Sequence, residues 1–205
     1  MNIALIGATG NVGTRILAEL RRRGHTVTAI ARDISKLDAQ DGVTAKAGDA
    51  SDPQGLAPLL TGHDAVISGT RFQGLDLGAL LSALTIAGVK RLLMVGGAGS
   101  LEVAPGVALI DTPDFPAAYK AEAGAGRDVL NALRQGPVQG IEWTFLSPAA
   151  FFFPGERTGH FRLADDQLLL DAAGKSQISY EDFAVALVDE VESPAHANRR
   201  FTVGY

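Results

Sequence analysis

The chain has no cysteine, which removes disulfides, thiolate catalysis and cysteine-ligated zinc at once. It has no excess of positive charge: the formal net charge is −5 at pH 7, where a nucleic-acid binder would show a basic face. No apolar run reaches the ~20 residues that a membrane-crossing helix needs. The first residues, Met1 to Ile6, lack the basic segment of a secretory signal and run straight into a glycine loop, so the expected compartment is the cytoplasm. None of the four histidines has ligand spacing to another histidine or a carboxylate, so no metal site is expected. No internal repeat, low-complexity linker or exposed apolar helical stripe stands out. Nucleic acid and membrane are therefore not expected partners, and monomer and homodimer both stay open.

What is present is ordinary for a globular protein: 205 residues, 46% apolar and 20% charged, enough for one domain with a large core. Short runs rich in valine and isoleucine alternate with helical patterns, the signature of βαβ units. Strands are expected at Asn2–Ile6, His25–Ala31, Val43–Ala47, Ala65–Ile67, Arg91–Val95 and Ile141–Leu146. Helices are expected at Asn11–Arg23, Pro53–Leu60, Gly74–Ala87 and Ala117–Gln135. After Leu146 the rhythm changes to a loop at Phe151–His160, a short strand at Gln167–Leu170, a helix at Tyr180–Glu192 and a final edge strand at Arg200–Val203. The expected fold is α/β: a three-layer, doubly wound parallel sheet of the Rossmann type. Residues 1–205 form a single domain, with a core at 1–146 and a small substrate-side extension at 147–205.

The strongest local signal is Gly7-Ala8-Thr9-Gly10-Asn11-Val12-Gly13, which follows the first strand and opens the first helix. Gly7 permits a tight turn, Gly10 removes a Cβ from the path of a pyrophosphate, and Gly13 allows close helix packing. The free N–H groups and positive end of the helix then receive phosphates. The spacing is G-x-x-G-x-x-G, and the strand–turn–helix context makes it a dinucleotide site; the loop lacks the Lys-Ser/Thr tail of a phosphate-binding P-loop. At the end of the second strand Arg32 precedes Asp33, with Lys36 close behind. A planar guanidinium there suits the 2′-phosphate of NADP, while Asp33 would serve the ribose of NAD. NADP is the favoured cofactor and NAD the alternative.

The chain resembles the atypical short-chain dehydrogenase/reductase group, in particular the NmrA-like NAD(P)H-binding proteins that include candidate NADH-flavin reductases. Ile6–Gly13, Ala31-Arg32-Asp33, Ala47-Gly48-Asp49-Ala50 and Met94–Ser100 carry the likeness, with Trp143–Pro148 and Ser179–Ala184 in the tail. The resemblance implies that Asp49, with Ala50 beside it, accepts from the adenine amino group. It implies that Ser68, Gly69 and Thr70 pass beneath the adenosine ribose, that Gly96 and Gly97 leave room for the nicotinamide riboside, and that Ser147 and Pro148 flank the nicotinamide. Read as plain structure, Asp49 is a turn former and Asp52 caps the helix opened by Pro53.

One part of that group's machinery is missing. Its ordinary members use a tyrosine with a lysine four residues on; Tyr119 is followed at that distance by Ala123, with Glu122 before it. A carboxylate near Tyr119 would raise its pKa, the wrong direction for a proton-exchanging phenol. Hydride transfer to a flavin or quinone needs only two aligned rings, and Phe151, Phe152 and Phe153 could wall such a flat acceptor or simply pack the core. Ser100, Tyr119 and His160 are the candidate catalytic residues, His160 because its loop could cover the acceptor. Three functions follow: an NADPH-dependent reductase of a flavin, quinone or similar acceptor; a non-catalytic NAD(P)H sensor acting through a protein partner; and, ranked last, an epimerase-like enzyme on a nucleotide sugar.

Overall fold

The computed structural model describes residues 1–136 and 140–205. The first strand, β1 (Asn2–Ile6), sets the plan. Its alternate residues face opposite ways, Ile3 and Leu5 into one core and Ala4 and Ile6 into another, and all four are buried. A strand buried on both faces reads as a continuous apolar run, as this one does. Around it lie β2 (Thr26–Ala31), β3 (Val43–Ala47), β4 (Ala65–Ser68), β5 (Arg91–Val95), β8 (Glu142–Pro148), β10 (Arg162–Ala164) and β12 (Arg199–Gly204). Their order across the sheet is β10-β12-β8-β5-β4-β1-β2-β3. Every neighbouring pair is parallel except β10 with β12.

Among the described residues five α-helices cover the two faces: α1 (Asn11–Arg22), α2 (Pro53–Leu60), α3 (Leu77–Ala87), α4 (Lys120–Arg134) and α5 (Tyr180–Glu192). Ile16, Leu17 and Leu20 of α1 and Phe183, Leu187 and Val191 of α5 share one core with Phe201 and Val203 of β12. Leu56 and Leu60, Leu80 and Leu84, and Val129 and Leu133 bring α2, α3 and α4 into the other. This is the three-layer, Rossmann-type α/β fold expected from the sequence. No helix among the described residues is long and apolar enough to cross a membrane.

Three expectations for the C-terminal part need correction. Arg199–Gly204 is not an edge strand: β8 lies on one side of it and the short antiparallel β10 covers the other. Gln167–Leu170 forms no strand, only an isolated bridge from Gln167 to Glu102; the strand lies earlier, at β10. The segment after β8 is not all loop, because β9 (Phe151–Phe153) pairs in parallel with β11 (Gln177–Ser179). A hairpin of β6 (Glu102–Ala104) and β7 (Val107–Ala108) follows β5. The third helix also starts later than expected, at Leu77, because the Asp76 carboxylate takes the Ala79 N–H at 2.9 Å and caps it there.

Candidate cofactor site

The chain turns away in opposite directions after β1 and after the neighbouring β4, and at such a switch point open α/β sheets hold ligands beyond the carboxyl ends of the strands. Gly7 has φ +83°, and a Cβ on it would lie 2.7 Å from the Gly69 carbonyl oxygen, so backbone passes against backbone at the crevice. A Cβ on Gly13 would lie 2.1 Å from the Gly7 carbonyl oxygen, which locks the first turn of α1 onto the loop. Gly10 begins α1 with no side-chain cap, and no acidic residue stands in the helix's first turn. By contrast α2 and α5 are capped by Asp52 and Ser179, which accept from Gly55 N–H and Asp182 N–H at 3.0 Å each. The leading N–H groups of Asn11, Val12 and Gly13 thus receive no side-chain cap, at the positive end of the helix.

A cavity of about 320 Å³ opens at this point. Gly7, Thr9 and Gly10 form one wall, Arg32, Asp49, Ala50 and Ser51 a second, and Gly69, Thr70 and Arg71 a third. Arg71 was not singled out in the sequence. It directly follows the Ser68–Thr70 run, so carrying that run one residue into its loop would have reached it. Asp33 is not on the wall: its carboxylate accepts from Ser35 N–H at 3.0 Å and Ser35 Oγ at 2.7 Å, and these bonds hold it below the usual carboxylate range. Lys36 is exposed and does not line the cavity either. Ser68 is buried beneath the wall, its hydroxyl 3.0 Å from that of Thr70. Asp49 both closes a turn and lines the cavity. Ser51 N–H and then Ser51 Oγ, at 2.9 and 2.8 Å, hold its carboxyl low, with the Arg32 charge adding to the pull.

The carboxyl ends of β5 and β8 form the neighbouring ground. Gly96 is required by packing: a Cβ would sit 2.4 Å from Phe145 Cε1 and 2.6 Å from the Leu146 oxygen. Gly97 lies nearby, half-buried, while Ser147 and Pro148 are buried at the end of β8. Tyr119 is 66% exposed, in a 3₁₀ turn before α4. Glu122 is committed elsewhere, its two oxygens accepting Phe72 N–H at 2.7 Å and Gln73 N–H at 3.0 Å. It thereby ties α4 to the loop that carries Arg71. Ala123 packs on the loop after β5, since a Cβ added to Gly99 would meet it at 2.7 Å.

The aromatic run divides by face, as a strand requires. Phe152 turns inward against Phe183 and Tyr180, whereas Phe151 and Phe153 stack on each other with centroids 5.0 Å apart, Phe151 being 61% exposed. The following segment is fastened to the α1 and α5 layer by three acids. Glu181 takes Gly155 N–H at 2.8 Å, Asp182 takes Thr158 Oγ1 and Gly159 N–H at 2.6 and 2.7 Å, and Glu19 takes Arg157 through two bonds of 2.7 and 2.8 Å. His160 is exposed at the end of this fastened segment. No cluster of three or more potential metal ligands occurs among the described residues. A second cavity, about 490 Å³, lies at the amino end of β8 beside Trp143 and Asn198, on the far side from the glycine loop.

Comparison with known proteins gives this crevice its context. Residues 7–194 match the model of a family described as NAD(P)H-binding. The chain belongs to that NAD(P)H-binding family. The matched span starts at the first glycine of the loop and runs through α5. YwnB of Bacillus subtilis is 44% identical over 99% of this chain and 98% of its own length. The NAD(P)H azoreductase of Xenophilus azovorans is 27% identical, over 98% of this chain and 67% of that protein. Among solved structures, a candidate epimerase from Bacteroides thetaiotaomicron superposes with a TM-score of 0.93 at 39% identity, covering 100% of this chain and 96% of the other. A candidate NADH-flavin reductase from Streptococcus pneumoniae superposes with a TM-score of 0.83 at 38% identity, covering 100% and 99%.

Proposed function

We propose that the protein is an NADPH-dependent reductase that passes hydride to a flat conjugated acceptor such as a flavin, a quinone or an azo compound. The observation that carries this reading is the cavity at the switch point, where an uncapped helix N-terminus and two arginines, Arg32 and Arg71, border one space. The residues present fit a dinucleotide. Gly7 and Gly10 keep side chains out of the crevice, so a pyrophosphate would lie against the uncapped N-terminus of α1, Arg32 would meet a 2′-phosphate, and Asp49 and Ala50 would border the adenine. Asp33 is spent on Ser35, which weighs against a ribose-binding acid and so toward NADPH over NADH. When bound, the cofactor supplies a hydride to the acceptor, whose added electron pair then takes a proton from water.

The chain's own contribution is orientation. Ala123, packed on Gly99, stands four residues after Tyr119, and Glu122 holds the Phe72 loop, which suits an acceptor that needs no protein acid. The stacked pair Phe151 and Phe153 offers a flat apolar surface beyond the end of β8. The names of two relatives, an NAD(P)H azoreductase and a candidate NADH-flavin reductase, support this class, while that of a third, a candidate epimerase, points to a different reaction. The test is NADPH consumption by the purified protein with FMN, riboflavin, quinones and an azo dye offered in turn. Saturable consumption with any of them supports the proposal. Tight NADPH binding with no consumption across the panel would overturn it in favour of a sensor that works through a protein partner.

A further inference from the structure

A buried arginine stands under the part of the site that the cavity does not reach. Arg200, in β12, is only 3% exposed, although arginine is among the residues least often buried without a partner. Its counter-charge is Asp166, which takes Nε at 2.6 Å and also Nη2. Asp166 in turn takes Arg134, at the end of α4, at 2.6 Å, and its backbone oxygen takes Glu102 N–H at 2.8 Å. The free edge of the guanidinium then reaches two strand ends at once. Nη1 points to Ser100 Oγ and Ser147 Oγ, each at 3.4 Å, and Nη2 to the Ser100 carbonyl oxygen, also at 3.4 Å. Ser147 is the last residue but one of β8, and Ser100 lies in the loop that leaves β5.

A guanidinium has donors and no acceptor. A serine hydroxyl facing it must therefore receive with its lone pair and turn its own proton elsewhere. Ser100 is half-buried, on the loop that follows the carboxyl end of β5. We propose that Arg200 is the positioning residue for the nicotinamide half of the site: it spans the ends of β5 and β8 from below and presents Ser100 as a hydrogen-bond donor to the nicotinamide or to the acceptor. This rests on the reading of the crevice as a dinucleotide site. It also accounts for keeping a charge where an apolar residue would cost less. Replacing a buried ion pair by apolar residues is often neutral or stabilising, so burial alone gives little reason for an arginine at this position.

The test compares wild type with R200M, R200K and S100A in three measurements that need no acceptor, followed by turnover. Circular dichroism shows whether each variant is folded. Hydrogen exchange in the free protein should rise at residues 97–101 in R200M and R200K and stay unchanged in α1. Titration with 2′,5′-ADP, which carries only the adenosine half, should give wild-type affinity in all variants, while the extra affinity that NADPH has over 2′,5′-ADP shrinks. With an acceptor, kcat should fall roughly tenfold in R200M and in S100A, and no further in the double variant, because both remove one arrangement. Unchanged exchange at 97–101 together with an unchanged ratio of NADPH to 2′,5′-ADP affinity overturns the proposal, and R200K supplies that answer if R200M does not fold. Wild-type protein that binds neither ligand would instead sink the cofactor reading itself.

Discussion

Glu19 offers the sharpest quantitative test of how α1 is held. It lies in the last turn of α1, only 4% exposed, and is engaged by Arg157 from the segment after β9 and by Arg23, which continues to Asp189 and Glu192 of α5. The Arg157 hydrogen bonds pull its carboxyl down most, burial pushes back, and Arg23 adds to the pull, so that it falls from the ordinary 4.5 to about 2. An acid with a depressed folded-state pKa contributes stability above its unfolded pKa and loses it as pH falls toward the folded one. At ~1.36 kcal/mol per pH unit, Glu19 contributes about 3 kcal/mol at pH 7, of which about 2 kcal/mol is gone by pH 3.

The perturbation is E19Q, which keeps the size and removes the charge. Urea unfolding should show the variant less stable by about 3 kcal/mol at pH 7, with the difference from wild type narrowing to roughly 1 kcal/mol at pH 3. Glu181, Glu190, Glu192 and Asp166 are also held low and will weaken both proteins in acid, so only the difference between them reports on Glu19. A difference that is the same at both pH values would refute the reasoning: the cost would then come from packing, not from the paired charge.

Two further substitutions test the crevice and its supports. R32A should raise the Kd for NADPH by roughly tenfold to a hundredfold, the worth of a charge-assisted phosphate contact, and leave NADH nearly unchanged; equal losses for both would remove Arg32 from the 2′-phosphate. G96A places a methyl group 2.4 Å from the Phe145 ring and 2.6 Å from the Leu146 oxygen. That overpacking should cost about 1–3 kcal/mol, or roughly 3–10 °C in Tm by thermal melting, and an unchanged Tm would mean that the β5 and β8 ends are not packed as described.

The α/β layering was readable because each signal for it is local. Ile3 to Ile6 is apolar on both faces, so it had to be a strand between two layers; Pro53 and the capping Asp52 announced a helix start within two residues. The glycine loop was readable for the same reason, since Gly7, Gly10 and Gly13 are neighbours whose geometry is set by one turn. Errors began where partners lie far apart. Arg199–Gly204 looks like an edge strand because its far neighbour, β10, is only three residues long and precedes it by some 35 positions. Phe151–Phe153 reads as an apolar loop until β11, more than 20 residues later, supplies a strand to pair with it.

The same distance rule separates the two halves of the site. The cavity at the switch point is walled by strand ends and the residue or two after them, so Arg32 and Asp49 could be found by walking along the chain, and Arg71 lay one step further. The other half is built by contacts across the whole length. Arg200 faces both Ser100 and Ser147, and the segment bearing His160 is drawn toward α1 and α5 by Glu19 and Asp182. No periodicity marks a residue whose partner is a hundred positions away. A glycine loop needs backbone N–H groups and space, which spacing encodes; an acceptor site needs a surface of particular shape, which arises only when the strands are in order. The NAD(P)H-binding family can therefore be read from a short run of sequence, whereas an acceptor must be found by assay.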